Sequence, residues 1–175
     1  MKNDRLYKII VSAMLAALCC VATMLIRIPS PMNGYVNLGD AIVLICGWIL
    51  GPIYGAAAAG VGSMLADIFA AYPHYAPGTL LIKASVAIIA YFLFKLLKHN
   101  KKQHTAIALA ISGIAAELAM AVLYFFYASL ILGKGWAAAS SIPGNLAQGL
   151  VGVIVGSALY MLISKSKALP ELFKE

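Results

Sequence analysis

The sequence predicts an all-α integral membrane protein, one bundle of six transmembrane helices with both termini on the cytoplasmic side. Three observations carry that expectation. Of 175 residues, 63% are hydrophobic and only 11% are charged, against roughly 25% charge in an ordinary soluble domain. The apolar residues fall into long blocks separated by short polar punctuation, each block near the ~20 residues that cross a bilayer. The positive charges gather in three places: Lys2, Arg5 and Lys8; Lys95, Lys98, Lys101 and Lys102; and Lys165, Lys167 and Lys174. With six spans all three fall on one side and leave Arg27 and Lys134 on the other, so the positive-inside rule makes the first side cytoplasmic. Residues 1–175 are expected to form a single domain.

The first span is expected over residues 6–28. It is long and lacks a clear cleavage site before the polar turn, so it reads as a retained helix and not a signal peptide. Ala13 and Ala17, four apart, let another helix approach closely in lipid; internal packing and a partner surface both fit. Residues 29–37 form an outer loop rich in turn formers, either a plain connector or a lid, with Tyr35 and Asn37 in it. Asp40 then opens the second span, where its carboxylate meets the positive end of the helix, and capping is its expected main role.

The second span ends at Leu50-Gly51-Pro52, a minimal cytoplasmic turn. The third, residues 53–72, is rich in Gly, Ala and Ser and is expected at the centre of the bundle. Its Gly60-x-Gly62 is no dinucleotide fingerprint, because no strand precedes it and the third glycine is missing. The fourth span covers residues 77–97, with Pro77 in its first turn. The fifth, residues 105–132, carries Glu117 and the aromatic run from Tyr124 to Tyr127. An outer turn with Trp136 leads to the sixth, residues 141–164, with Asn145 and Gln148 near its start and a glycine stripe at Gly149, Gly152 and Gly156.

Charged groups inside a membrane are expensive, about 2.5–3.5 kcal/mol each at a helix centre. Here they gather in the outer halves of the spans: Asp40, Asp67 and Lys83, with the amides of Asn145 and Gln148, while Glu117 sits nearer the middle. Counted from the turn at residues 72–77, Asp67 and Lys83 lie at equal depth, roughly 8–9 Å down. They either pair with each other or serve a ligand. An outward-facing cavity for a small polar, aromatic ligand uses the whole set, with charges and amides for heteroatoms and hydroxyls and with Tyr75 and Trp136 for stacking.

Other chemistries find no support. The net charge of +7 comes without the aromatic–basic interleaving or reader motif of a nucleic-acid binder. Cys19, Cys20 and Cys46 lie inside apolar blocks without metal spacing, and no metal or cofactor is expected. No histidine falls within a span to activate Ser63. No phosphate loop and no inverted repeat is visible, so a site of this kind needs a partner to drive release. A structural protein whose polar groups act as glue and a self-sufficient carrier are the rival classes.

Asn37-Leu38-Gly39-Asp40, Leu50-Gly51-Pro52-Ile53-Tyr54-Gly55, the small-residue helix ending in Asp67, and Tyr72-Pro73-x-Tyr75-Ala76-Pro77 with the following Lys83 occur in an order and spacing that carry a resemblance. The chain is similar, over essentially its whole length, to the substrate-binding (S) components of energy-coupling factor (ECF) vitamin transporters. The resemblance implies capture of a vitamin at the outer face beneath the loop between the first two helices. It also implies docking through an Ala-x-x-x-Ala motif, matched here by Ala13 and Ala17, to a transmembrane coupling (T) protein that works with two cytoplasmic ATPases. Delivery in that family involves toppling of the S component. Among its members the chain looks most like those for hydroxymethylpyrimidine or pyridoxine, with riboflavin, thiamine, pantothenate, folate and cobalamin left open. The substrate residues expected are Asp67, Lys83, Glu117, Asn145, Gln148, Tyr75, Tyr35, Asn37, Asp40 and Trp136.

Overall fold

In the computed structural model of the chain, residues 2–30, 34–99 and 105–165 are described. The loop residues Pro31, Met32 and Asn33 and the basic residues Lys101, Lys102, His104, Lys167 and Lys174 lie outside them. Among the described residues, five helical segments are long and apolar enough to cross a membrane: Arg5–Leu25, Gly39–Phe69, Ala76–Lys98, Thr105–Ile131 and Gly135–Lys165.

Helix α1 (Lys2–Leu25) stops earlier than expected. Pro29 pulls its predecessor out of helical geometry, and the chain enters a short antiparallel ribbon of β1 (Arg27–Ser30) and β2 (Gly34–Asn37). The register pairs Arg27 with Asn37 and Pro29 with Tyr35. The expected irregular loop is thus a two-stranded ribbon, the one departure among the described residues from an otherwise all-helical architecture.

Helix α2 (Gly39–Phe69) takes the place of the second and third expected spans. Its helical geometry breaks at Gly51, with φ 78° and ψ −174°. Glycine tolerates that positive φ without steric cost, and Pro52 cannot donate the hydrogen bond that would carry the helix through. The chain folds back there. Cys19 Sγ lies 3.3 Å from Ser63 Oγ and 3.9 Å from the Gly39 carbonyl, whereas Gly39 and Ser63 would be about 36 Å apart along one straight helix. Gly55 closes the fold-back by packing on Cys46 and Gly47.

The first arm of α2 is the centre of the bundle, buried from Gly39 to Leu50 except for half-buried Ile49. This corrects the expectation that the small-residue third span is central. Ile53, Ala57, Val61 and Ile68 form an exposed stripe along the second arm. Its small residues serve close approach on the other faces. A Cβ on Gly62 would strike the Ala16 carbonyl of α1, and one on Gly60 would come within 2.7 Å of the Leu80 carbonyl.

Helix α3 (Ala76–His99) packs on both arms, with Gly47 against the Ala87 backbone. Helix α4 (Thr105–Phe126) gives way to a π-helical turn at Tyr127–Ile131, within the expected fifth span. A 3₁₀ turn (Gly135–Ser141) leads into α5 (Ile142–Lys165). The α5 glycine stripe meets the first arm of α2 and Glu117: a Cβ on Gly152 would come within 2.8 Å of Asp40 Cβ, and one on Gly156 within 3.0 Å of the Ala41 carbonyl oxygen. Toward the Gly51 end, Trp48 donates to Ser112 Oγ at 3.1 Å and meets the Tyr160 ring edge-on.

Candidate functional site

Because Cys19 touches Gly39 and Ser63 together, α2 begins level with Ser63, six residues and therefore about 9 Å below the outer end of its second arm. Asp40 is sunk by the same amount. Lys83, seven residues into α3, lies about 10 Å below that helix's outer end, and the two meet. Lys83 Nζ forms an ion pair with Asp40 Oδ1, and the side chains are 4% and 0% exposed.

The sequence reading placed Lys83 level with Asp67, and this is corrected. Helix α2 ends at Phe69 and α3 starts at Ala76, so Asp67 is two residues from its helix end and Lys83 seven. Asp67 is buried and its carbonyl accepts the Tyr72 backbone N–H at 2.8 Å. Asp40 as chiefly a cap is likewise corrected. The cap comes from Asn37, whose Oδ1 accepts the Gly39 N–H at 2.8 Å, and this leaves the Asp40 carboxylate free for the bundle interior.

The other Asp40 oxygen, Oδ2, accepts a hydrogen bond from Gln148 Nε2 of α5 at 2.6 Å. Gln148 Oε1 in turn accepts the Asn37 backbone N–H at 2.8 Å and its Nδ2 at 3.3 Å. Four elements are therefore joined: ribbon strand β2, α5, the first arm of α2, and α3. Met120 of α4, not anticipated from the sequence, places Sδ 2.8 Å from Lys83 Nζ. Glu117, one turn earlier on the same face, is buried within electrostatic reach of Asp40 and Lys83.

Above the ion pair stand aromatic rings. Lys83 Nζ lies 5.4 Å from the Tyr124 ring centre, and Tyr124 donates to Thr79 Oγ1 at 3.0 Å. Tyr75 is 6.5 Å from Tyr124 and 6.2 Å from Tyr127, centre to centre. Lys134 Nζ donates to Tyr75 Oη at 2.8 Å. Asn145 is half-buried one turn before Gln148. Trp136 is 87% exposed and stands beside Phe125. Tyr35 contributes its backbone to β2. Ala13 and Ala17 are both exposed on α1, the least buried of the membrane-length helices.

A family model described as the S component of the ECF-type riboflavin transporter matches residues 3–165. The chain belongs to this S-component family. As an S component it is a substrate-binding membrane subunit of a transporter and not an enzyme. An uncharacterized protein of Pyrococcus woesei, from the region 3′ of gap, is 32% identical over 146 residues, which is 83% of this chain and 93% of that protein. A solved structure, the S component of a bacterial ECF transporter, superposes with a TM-score of 0.66 at 24% identity, covering 94% of this chain and 97% of that one. At that identity the likeness concerns the fold, and the S-component fold agrees with the helical bundle described above.

Proposed function

We propose that this S component captures a small heteroaromatic vitamin or precursor, of the hydroxymethylpyrimidine or pyridoxine type, at the outer face of the cell membrane. An ECF T component and two cytoplasmic ATPases drive its delivery. Counting the two arms of α2 separately supports six helical passes, and the basic clusters in the sequence support cytoplasmic termini. The observation that carries the reading is the buried network Asn37–Gln148–Asp40–Lys83, which ties an outer ribbon to charges deep among the helices. Structural glue alone does not call for a connection to an outer ribbon or for the tyrosines stacked above it. The ribbon acts as the lid, and Asp67, Asn145 and Tyr35 border the site. The exposed Ala13 and Ala17 face docks the T component.

Thermal unfolding of the purified protein against a vitamin panel tests this. A shift by one heteroaromatic vitamin without ATP is expected, and no shift by any of them would sink the reading. A second reading, riboflavin as the substrate, is favoured by the description of the matching family model, and the same panel separates the two.

A further inference from the structure

Within the buried network one acid is left over. Glu117 is 4% exposed, and among the described residues neither of its carboxyl oxygens has a hydrogen-bond partner. Of the neighbouring donors, Lys83 gives two of its three N–H groups to Asp40 and Met120, and Gln148 Nε2 donates to Asp40. Asp40 and Lys83 also cancel in charge, so no surplus cation remains to balance a second carboxylate. Nor is Glu117 free to swing aside, because α5 closes on it: a Cβ on Gly149 would lie 2.7 Å from Glu117 Cβ and 3.2 Å from Oε2.

A buried carboxyl without a partner costs free energy. In a membrane helix such a group marks a functional site, its missing partner coming from a ligand or a proton. What surrounds Glu117 narrows the ligand. Met120 and Tyr124 lie on its helix face at three and seven residues, so the partner lies against a thioether and a tyrosine ring. A flat aromatic body with a hydrogen-bonding edge fits those walls.

We propose that Glu117 binds the ring-nitrogen edge of a weakly basic nitrogen heteroaromatic, a pyridine or an aminopyrimidine, with one proton shared between carboxyl and ring nitrogen. The proton can begin on either partner; the same two heavy atoms end up bonded and no net charge is created or lost. In an aminopyrimidine the exocyclic amine donates to the second carboxyl oxygen, satisfying both. The inference rests on reading the network as the substrate site, and it narrows the substrate class. A flavin, whose ring nitrogens are not basic near neutral pH, does not meet this requirement.

The test uses the full chain in nanodiscs, with hydroxymethylpyrimidine, pyridoxine and riboflavin as probes, together with a benzene counterpart that lacks the ring nitrogen. Glu117→Met removes the carboxyl at similar length and flexibility. Its ligand-free melting temperature is expected to equal or exceed that of the wild type, because apolar replacement of an unsatisfied buried acid is commonly neutral or stabilising. Its affinity for the basic heteroaromatic is expected to fall by about 100-fold or more. The benzene counterpart is expected to lose a similar factor on the wild type and nothing further on Glu117→Met. Unchanged affinity in Glu117→Met overturns the assignment, as does a lowered ligand-free melting temperature with affinity retained. Equal binding of riboflavin to both proteins overturns it while leaving substrate capture standing. If nothing in the vitamin panel binds the wild type, substrate capture itself falls and this assignment with it.

Discussion

Gln148 Nε2 donates to Asp40 Oδ2 at 2.6 Å, and this bond makes a buried carboxylate and an outer ribbon parts of one network. Gln148 spends its amide nitrogen inward and its amide oxygen outward, on Asn37. Gln148→Leu, close in volume and without either bond, is expected to uncouple the two. Hydrogen exchange at residues 34–37 should speed up by tenfold or more, with a stability loss of about 1–3 kcal/mol from unpaired buried groups. Exchange unchanged at the ribbon would mean that the strand pairing alone holds it.

The Asp40–Lys83 pair should behave as a buried pair. Lys83→Met leaves Asp40 ionised without its cation and is expected to cost about 3–5 kcal/mol. Adding Asp40→Asn should restore much of that loss. A double-mutant cycle on thermal stability should give a larger coupling for Asp40 with Lys83 than for Asp67 with Lys83. The reverse order would return Lys83 to the partner that its position beside the Tyr72–Pro77 turn first suggested.

These two contacts show what the sequence makes legible. The fold-back at Gly51-Pro52 was readable because a glycine and a proline together leave a helix no easy continuation. The stripe Gly149, Gly152 and Gly156 was readable as a close-contact face, and Asp40, Lys83, Glu117 and Gln148 stood out as polar groups inside the membrane, whereas Asn37 was expected only in the outer loop and Met120 carried no signal. Depth was not readable. It was counted from assumed helix ends at Tyr72 and Pro77, and those ends moved to Phe69 and Ala76. The sunken start of α2 is set by Cys19 meeting Gly39 and Ser63, a tertiary contact with no local signature. The ribbon was missed for a related reason: four-residue strands carrying proline and glycine are too short to show an alternating pattern.

The glycine stripe of α5 makes a steric prediction. Gly152→Val would drive a branched side chain into Asp40 Cβ, 2.8 Å from the added Cβ. Overpacking of this kind costs about 1–3 kcal/mol. Leu150→Ala, on the exposed face of the same helix, should change stability by less than about 0.5 kcal/mol. Equal effects at the two positions would contradict the packing described.

The exposed alanines of α1 give a functional prediction. Ala13→Trp and Ala17→Trp are expected to abolish uptake in cells carrying the T component and ATPases, with ligand affinity of the isolated protein unchanged. Loss of affinity instead would place that face inside the substrate-binding unit.

The fold-back at Gly51 has a consequence for timing. An arm of about 12 residues rises only ~18 Å, so its outer end stops short of the membrane surface and the ribbon follows it inward. On the proposed substrate-capture reading, the ribbon is then a stopper seated in the mouth and not a flap above it. On that reading a solute coming from outside has to wait for Asn37 to part from Gln148. Capture then runs at the frequency of that parting and stays well below the ~10⁹ M⁻¹s⁻¹ encounter limit. The same two hydrogen bonds, remade behind the solute, would make its escape slow.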